Sequence, residues 1–199
     1  MSQRKVAQPY NISTMNIIQD KDKKTFENLK TALELKNVMQ APRLLKVVIS
    51  VGTGKMRDKN KGELITDRLT KITGQKPSPR PARLSIASFK LREGEIIGYQ
   101  ITLRGKRMYD FLERFVNVAL PRTKDFRGLN AKAIDDMGNF TIGVKEHTIF
   151  PETSDEDVRD VFGLAITVVT SAKDKKSAKA FFDYLGFPFA KPGTDGKKK

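Results

Sequence analysis

The stretch IGYQITLRGKRMYDFLERFVNVAL, from Ile97 to Leu120, contains the two periodicities that decide the fold. From Ile97 to Leu103 every second side chain is apolar and those between are glycine, glutamine or threonine, which predicts a strand with one polar face. From about Lys106 the apolar side chains recur at i, i+3, i+4 and i+7, which predicts an amphipathic helix that Pro121 ends. The strand is therefore expected to bury one face against helices and to leave its polar face available to a ligand.

The same two periodicities recur on both sides of this stretch. Further strands are predicted at Leu45–Val51, Asn139–Val144 and Leu164–Thr170. Further helices are predicted at Lys23–Leu35, at about Ile65–Ile72 before Gly74, and at Asp174–Leu185. Because the helices each have one apolar face, we predict an α+β fold in which helices pack on one face of a sheet and the other face stays open.

The length of 199 residues suits one substantial domain. We predict a flexible N-terminal arm at residues 1–22 and a single folded domain at residues 23–189. Residues 190–199, AKPGTDGKKK, have no apolar period and are predicted to form a disordered basic tail.

Charge is the strongest compositional feature. The 38 lysines and arginines outnumber the 23 aspartates and glutamates, for a formal net charge of +15. Such a charge predicts a polyanionic partner, first of all a nucleic acid. The absence of cysteine excludes disulfides and thiol catalysis and fits a reducing cytosol. No membrane partner is expected, because no apolar run approaches the roughly 20 residues that span a bilayer.

The positive charge is concentrated between Lys76 and Arg107. Eight cations stand there against two acids, Glu93 and Glu95, a local excess of about six charges. Phe89, Gln100 and Thr102 lie among these cations and could stack on bases or bind sugar and base edges. On the residues alone, a core position is the commoner one for Phe89, and Gln75 could equally cap the loop after Gly74.

Three classes of function remain open from the residues alone. The first is an architectural RNA-binding protein, and the second is a module whose basic surface meets an acidic protein. The third is an RNA-processing enzyme in which four acids hold Mg²⁺. Those acids are Asp135, Asp136, Glu146 and Glu152. The only histidine, His147, has no cysteine or second histidine as a partner, so we predict a structural or solvent-exposed histidine and no metal site.

Nine strings of the sequence, taken in order, resemble the bacterial large-subunit ribosomal protein five family. They are NVMQAPRLLKVV (37–48), ITGQKP (72–77), SIASFKLREG (85–94), IGYQITLRG (97–105), RMYDFLERF (107–115), ALPRTKDFRGL (119–129), GNFTIGVKE (138–146), IFPE (149–152) and LGFPF (185–189). Each string alone is a weak motif, but nine in order are specific. The resemblance covers about residues 37–189 and implies a mostly antiparallel sheet whose open face is concave and binds RNA.

The resemblance also implies a function without catalysis and without a cofactor. Such a protein is a structural constituent of the large ribosomal subunit in the cytoplasm. It binds 5S rRNA and helps to attach it to the large-subunit rRNA in the central protuberance. Further implied partners are the P-site tRNA and neighbouring ribosomal proteins, including the small-subunit head protein thirteen, which we place near Leu129–Asn139.

The site residues follow from the positions that match the family. The implied 5S rRNA contacts are Ser50, where the family usually has asparagine, Gln75, Phe89 and Thr102. The implied tRNA-proximal loop is Ser78–Ser85, stiffened by prolines, with Arg80 and Arg83 as phosphate partners. Further phosphate contacts are expected from Lys46, Lys76, Lys90, Arg92 and Arg104.

Overall fold

The computed structural model describes residues 17–54, 59–124, 126–153 and 161–190. Its strands are β1 (Leu44–Gly52), β2 (Ser78–Pro81), β3 (Ile96–Leu103), β4 (Phe140–Val144) and β5 (Leu164–Thr170). Its helices are α1 (Ile17–Lys23), α2 (Thr25–Leu29), α3 (Lys59–Thr73), α4 (Gly105–Arg114) and α5 (Lys175–Leu185). The four predicted strands are confirmed within one or two residues at each end, and β2 is additional.

The strands form one antiparallel sheet in the order β2-β3-β1-β5-β4. Central β1 pairs with two strands that lie far away in sequence, so Ser50 faces Gln100 on β3 and Ala165 on β5. The predicted α+β fold with a mostly antiparallel sheet is confirmed.

Burial separates the two faces of this sheet. On β1 the side chains of Val47, Ile49 and Val51 are at most 3% exposed, whereas Ser50 between them is exposed. The buried side chains of α3, α4 and α5 belong to the same hydrophobic core as these valines and isoleucine. The helices therefore cover one face, as the alternation predicts, and bury most of the apolar side chains there.

The helix that begins with α4 is the best-predicted helix of the chain. Gly105, at φ +57°, starts α4, and a π-helical turn at Phe115–Ala119 continues it to Leu120. Phe111 and Phe115 stack with centroids 6.1 Å apart, and both rings also stack on Phe150. This aromatic group fills the core between α4 and the turn at Pro151–Thr153.

The helix predicted at Lys23–Leu35 is only partly formed. The chain forms α1 and α2 instead, and the Thr25 hydroxyl donates to carbonyl oxygens of the α1 turn, 2.8 Å from that of Asp22. Beyond α2 the backbone leaves helical geometry, with Glu34 at φ +51°. Residues 17–22, predicted to be part of the flexible arm, are helical, with Ile18 buried in the core. The rest of that arm, residues 1–16, and the tail at 191–199 lie outside the described residues.

Asp22 joins α1 to two other elements. Its Oδ2 accepts a hydrogen bond from the Tyr109 hydroxyl of α4 at 2.6 Å, and its Oδ1 accepts from the Leu44 amide of β1 at 3.2 Å. Burial raises the pKa of the Asp22 carboxyl, and the bond from Tyr109 opposes part of that rise. Burial also raises the pKa of the Tyr109 hydroxyl, and the hydrogen bond to Asp22 raises it further.

Replacing Tyr109 with phenylalanine should lower the free energy of unfolding by about 1–2 kcal/mol at neutral pH. The substitution removes the donor that favours ionised Asp22, so the pKa of that carboxyl rises further in the folded variant. The additional loss of unfolding free energy should therefore grow as the pH rises through the folded-state pKa of Asp22. It should shrink as the pH falls towards 3.8, the ordinary pKa of an aspartate. Urea unfolding of both proteins across this pH range measures the difference.

Tyr184→Phe is the matched control. The Tyr184 hydroxyl accepts from the neutral Asn28 amide at 2.8 Å, at an exposed site. The Tyr184→Phe variant should lose little unfolding free energy, and that loss should not depend on pH. A Tyr109→Phe effect that is equally independent of pH would contradict the role given to Asp22.

Candidate nucleic-acid interface

The sheet face away from the helices, called the open face below, is defined by the strand register. It consists of Ser78 and Arg80 on β2, Gly98, Gln100 and Thr102 on β3, Lys46, Val48 and Ser50 on β1, Ala165, Thr167 and Val169 on β5, and Thr141 and Gly143 on β4. No acidic side chain is among these strand residues. The polar groups of this face are therefore hydroxyls, one amide and cations, and its other residues are glycine, alanine and valine.

Ser50 and Thr102 lie on adjacent strands of the open face. Ser50 is directly opposite Gln100, and Thr102 is directly opposite Val48, so the two hydroxyl residues are diagonal neighbours. Ser50 is exposed and Thr102 is half-buried. The alternation of both strands predicted this placement correctly.

Gln75 lies in the loop between α3 and β2, three residues before Ser78. Its backbone amide donates to the Thr73 hydroxyl at 3.3 Å, and that hydroxyl lies 3.1 Å from the Gln75 carbonyl oxygen. Thr73 is only 4% exposed and also bonds the Leu69 carbonyl at 2.7 Å. The backbone of Gln75 is therefore fixed to the end of α3, while its side chain is half-exposed.

A second contact holds the end of α3. Arg114 on α4 donates from Nη2 to the Ile72 carbonyl at 3.0 Å, and its Nη1 pairs with Glu152. The loop that bears Gln75 thus begins from a helix end that is fixed to the core by a charged side chain.

Phe89 lies in the connection between β2 and β3, in a 3₁₀ turn at Ala87–Phe89. The turn is closed by a bridge between Ile86 and Leu91, with Lys90 at φ +50°. The chain therefore reverses its direction at Phe89. Phe89 is 72% exposed, which excludes the core alternative.

The predicted loop Ser78–Ser85 needs correction. Its first four residues form β2, at the edge of the sheet. An edge strand pairs on one side only, so prolines, which have no amide hydrogen to donate, are tolerated there. Arg80 therefore faces Gly98 on the open face, whereas exposed Arg83 lies in the connection that follows. The two arginines do not belong to one loop.

The five predicted phosphate contacts surround these residues. Lys46 is a half-buried residue of the open face, and exposed Arg104 continues β3 in extended conformation, on the side of Thr102 by alternation. The other three are exposed in loops: Lys76, Lys90 and Arg92. Together they place cations along the β3–β1 half of the sheet and around the turn of Phe89.

Gly98 explains how closely β3 approaches β1. A Cβ atom there would lie 2.7 Å from the Val51 carbonyl oxygen, closer than atoms can pack. The open face therefore has a flat strip at Gly98 and Gly52, which are register partners.

The sequence did not single out two further open-face hydroxyls, those of Thr141 and Thr167. They are register partners on β4 and β5, and their Oγ1 atoms are 3.1 Å apart. Alternation in FTIGV and LAITVVT shows that each threonine faces away from its apolar neighbours, but only the register shows that the two meet.

Three of the four carboxylates that could have held Mg²⁺ make separate contacts. Glu152 pairs with Arg114, Glu146 lies 3.8 Å from the ammonium of Lys124, and Asp135 accepts from Asn139. Across the described ranges, no three side chains of the ligating types meet as a metal site would require. Within those ranges, too, no helix has the length and apolar content to cross a bilayer.

His147 is a core residue, which decides between the two predicted alternatives in favour of a structural histidine. It is fully buried and stacks on Phe162 with centroids 4.2 Å apart. Its Nε2 lies 3.2 Å from a guanidinium nitrogen of buried Arg68, and its Nδ1 accepts from the Phe162 amide.

Comparison with known families accounts for nearly the whole described chain. Residues 37–92 match the family model described as ribosomal protein L5, and residues 96–189 match the model of the C-terminus of the same ribosomal family. The chain belongs to the ribosomal protein L5 family. It is thus a structural, non-enzymatic constituent of the large ribosomal subunit and has its place in the cytoplasmic ribosome.

Curated relatives agree with the family models. The large ribosomal subunit protein uL5 of Dichelobacter nodosus is 49% identical over 164 residues, which cover 82% of this chain and 92% of the relative. That of Anaeromyxobacter sp. strain K is 47% identical over 171 residues, covering 84% and 94%. That of Prochlorococcus marinus strain AS9601 is 49% identical over 160 residues, covering 80% and 89%.

Proposed function

We propose that this ribosomal protein L5 family member binds 5S rRNA on its open face and helps to attach it to the large-subunit rRNA in the central protuberance. The observation that carries the proposal is the acid-free open face, on which Ser50, Gln100 and Thr102 adjoin the cations Lys46 and Arg104. Cations attract the phosphates, and the uncharged groups can bind ribose and base edges.

The helix-covered side differs from the open face in having acids among its cations. Asp20, Asp110 and Glu113 lie on α1 and α4, and the charges of the two aspartates contribute to the raised pKa of Glu113 after the main effect of burial. The strand residues of the open face include no acid that would repel a phosphate.

The exposed turn around Phe89 complements this surface. A ring that is 72% exposed can stack on an unpaired base, which adds affinity independent of sequence-specific hydrogen bonds. Gln75, fixed through its backbone to Thr73, offers an amide just before β2 begins. These residues would recognise a loop or bulge of folded RNA.

Two further contacts belong to the same proposal. Arg80 at the sheet edge and Arg83 in the exposed connection would approach the phosphates of the P-site tRNA. The segment Leu129–Asn139 would meet the basic small-subunit head protein thirteen. Its tip carries exposed Asp136 and Met137, which is 71% exposed, and Asp135 holds the tip by accepting from the Asn139 amide at 2.7 Å.

Lys46→Ala should weaken binding to 5S rRNA at low salt. If the lysine contacts one duplex phosphate, the slope of log K against log salt should become less steep by about 0.9. The physical reason is the loss of one released counterion. Filter binding across a salt series measures both quantities.

Lys71→Ala is the control, because Lys71 lies on helix α3 and pairs with Asp67 at 2.9 Å. It should leave the salt slope unchanged. The assignment of the open face would be wrong if the two variants changed the slope equally. Absence of saturable 5S rRNA binding by the parent protein would overturn the proposed function itself.

Thr73→Val should weaken 5S rRNA binding by about 1 kcal/mol through Gln75, since it removes the hydroxyl that holds the Gln75 backbone. Thr73→Ser keeps the hydroxyl and should bind 5S rRNA as the parent does. In a double-mutant cycle with Gln75→Ala, the two losses should be less than additive.

Thr70→Val tests whether any α3 hydroxyl has this effect. The Thr70 hydroxyl donates only within the helix, to the Thr66 carbonyl at 2.7 Å. The Thr70→Val variant should bind 5S rRNA as tightly as the parent does. Full additivity of Thr73→Val and Gln75→Ala would mean that Thr73 stabilises the fold without positioning Gln75.

A further inference from the structure

The β4–β5 half of the open face carries a pair of hydroxyls that the proposed contacts do not use. Thr141 is exposed on edge strand β4, and Thr167 is half-buried on β5. Their Oγ1 atoms are 3.1 Å apart, so one hydroxyl donates to the other. Neither makes a contact that the helix-side core requires, since both side chains point to the opposite face.

This pair continues a row that begins at a proposed RNA contact. Thr102 is opposite Val48, Val48 is opposite Thr167, and Thr167 is opposite Thr141. Neighbouring strands are about 4.8 Å apart, so the row extends about 14 Å across the open face, from Thr102 to Thr141 at the far edge. A single nucleotide that contacts Thr102 would therefore not reach Thr141.

The chemistry of the pair matches a ribose. Two hydroxyls have two donor hydrogens, one of which forms the mutual bond, so one donor and several lone pairs remain for a partner. A ribose 2′-hydroxyl is also both donor and acceptor and is displayed in the shallow minor groove of an RNA helix. The adjacent row has Ala165 and Gly143, which are too small to prevent close approach of a sugar.

The charges of the open-face strands are compatible with RNA as the occupant of this half. Lys46 is opposite Val169 at the neighbouring position of β5, and no strand residue of the open face is acidic. The strand residues of this half also offer no exposed aromatic or arginine anchor of the kind on which protein interfaces depend.

We propose that Thr141 and Thr167 form a second RNA contact, which binds ribose 2′-hydroxyls of a 5S rRNA helix that crosses the sheet from β3 to β4. The inference rests on the proposed function and extends it across the whole open face. It identifies the contact as one that distinguishes RNA from DNA by sugar chemistry.

The test compares the parent with the double variant Thr141→Val and Thr167→Val. Valine keeps the β-branched shape that strands favour and removes only the hydroxyls. Hydroxyl-radical footprinting of 5S rRNA reports protected riboses, and filter binding reports affinity. The parent should protect a tract that the double variant exposes, and affinity should fall by about 3- to 10-fold.

Two controls make the outcome specific. Thr123→Val, in the turn after α4 where the hydroxyl lies 3.5 Å from the Ala119 carbonyl, should keep the parent footprint and affinity. Thr102→Val should expose a different tract and leave the one assigned to β4–β5. Unfolding curves establish that each variant is folded.

The outcomes separate the two proposals. A double variant with the footprint and affinity of the parent would overturn this inference and leave 5S rRNA binding by the parent intact. A parent that protects no ribose of 5S rRNA would overturn both.

Discussion

Phe111→Ala should lower the free energy of unfolding by about 3–5 kcal/mol, the largest effect we expect from one substitution. Phe111 is 1% exposed and packs on two other rings, with centroids 6.1 Å from Phe115 and 5.9 Å from Phe150. Alanine would leave a cavity at the point where α4 meets the Pro151–Thr153 turn. Urea or thermal unfolding measures the loss.

Phe89→Ala is the matched control for stability, because it makes the same chemical change at a site that is 72% exposed. It should alter the free energy of unfolding by less than about 0.5 kcal/mol. Similar losses for the two variants would contradict the division between an aromatic core on the helix side and an exposed aromatic turn.

Phe89→Ala should instead weaken 5S rRNA binding by about 1–3 kcal/mol, or about 5- to 150-fold. The exposed ring offers a flat surface on which an unpaired base can stack. Stacking releases no counterions, so the loss should be nearly the same at low and high salt. Filter binding at two salt concentrations measures it.

Two variants of the same connection distinguish stacking from general apolar contact. Leu84 is also 72% exposed, and Leu84→Ala removes apolar surface without removing a ring. Phe89→Tyr keeps the ring and should bind nearly as the parent does. If Leu84→Ala weakened binding as much as Phe89→Ala, the turn would act as an apolar surface rather than as a stacking platform.

The elements with an uninterrupted period were predictable from sequence. β1 and β3 alternate because one face packs on helices and the other does not, and the helix from α4 to Leu120 has an unbroken apolar stripe. The positions of Ser50 and Thr102 followed directly, since alternation alone places a strand residue on one face or the other.

The remaining elements depend on contacts that sequence does not display. The three prolines of the motif KPSPRP suggest a loop, and β2 is a strand only because β3 offers it an edge. The helix predicted at Lys23–Leu35 is divided because the Thr25 hydroxyl bonds α1 carbonyls and Asp22 is held by Tyr109 and Leu44.

The candidate site shows the same division. Side chains on predicted strands could be assigned to the open face, whereas the turn at Phe89 depends on the bridge between Ile86 and Leu91. The contact of Thr141 with Thr167 depends on the register of two strands that are separated in sequence. Local periodicity identifies a face, but pairing determines which side chains share it.

The most direct test of the open face as the 5S rRNA site is photocrosslinking in purified ribosomes. A photoreactive amino acid at Ser50, on the open face, is compared with one at Glu27, an exposed residue of α2. The proposal predicts that the probe at position 50 crosslinks to 5S rRNA and that the probe at position 27 does not. Crosslinks to 5S rRNA from position 27 and none from position 50 would contradict it.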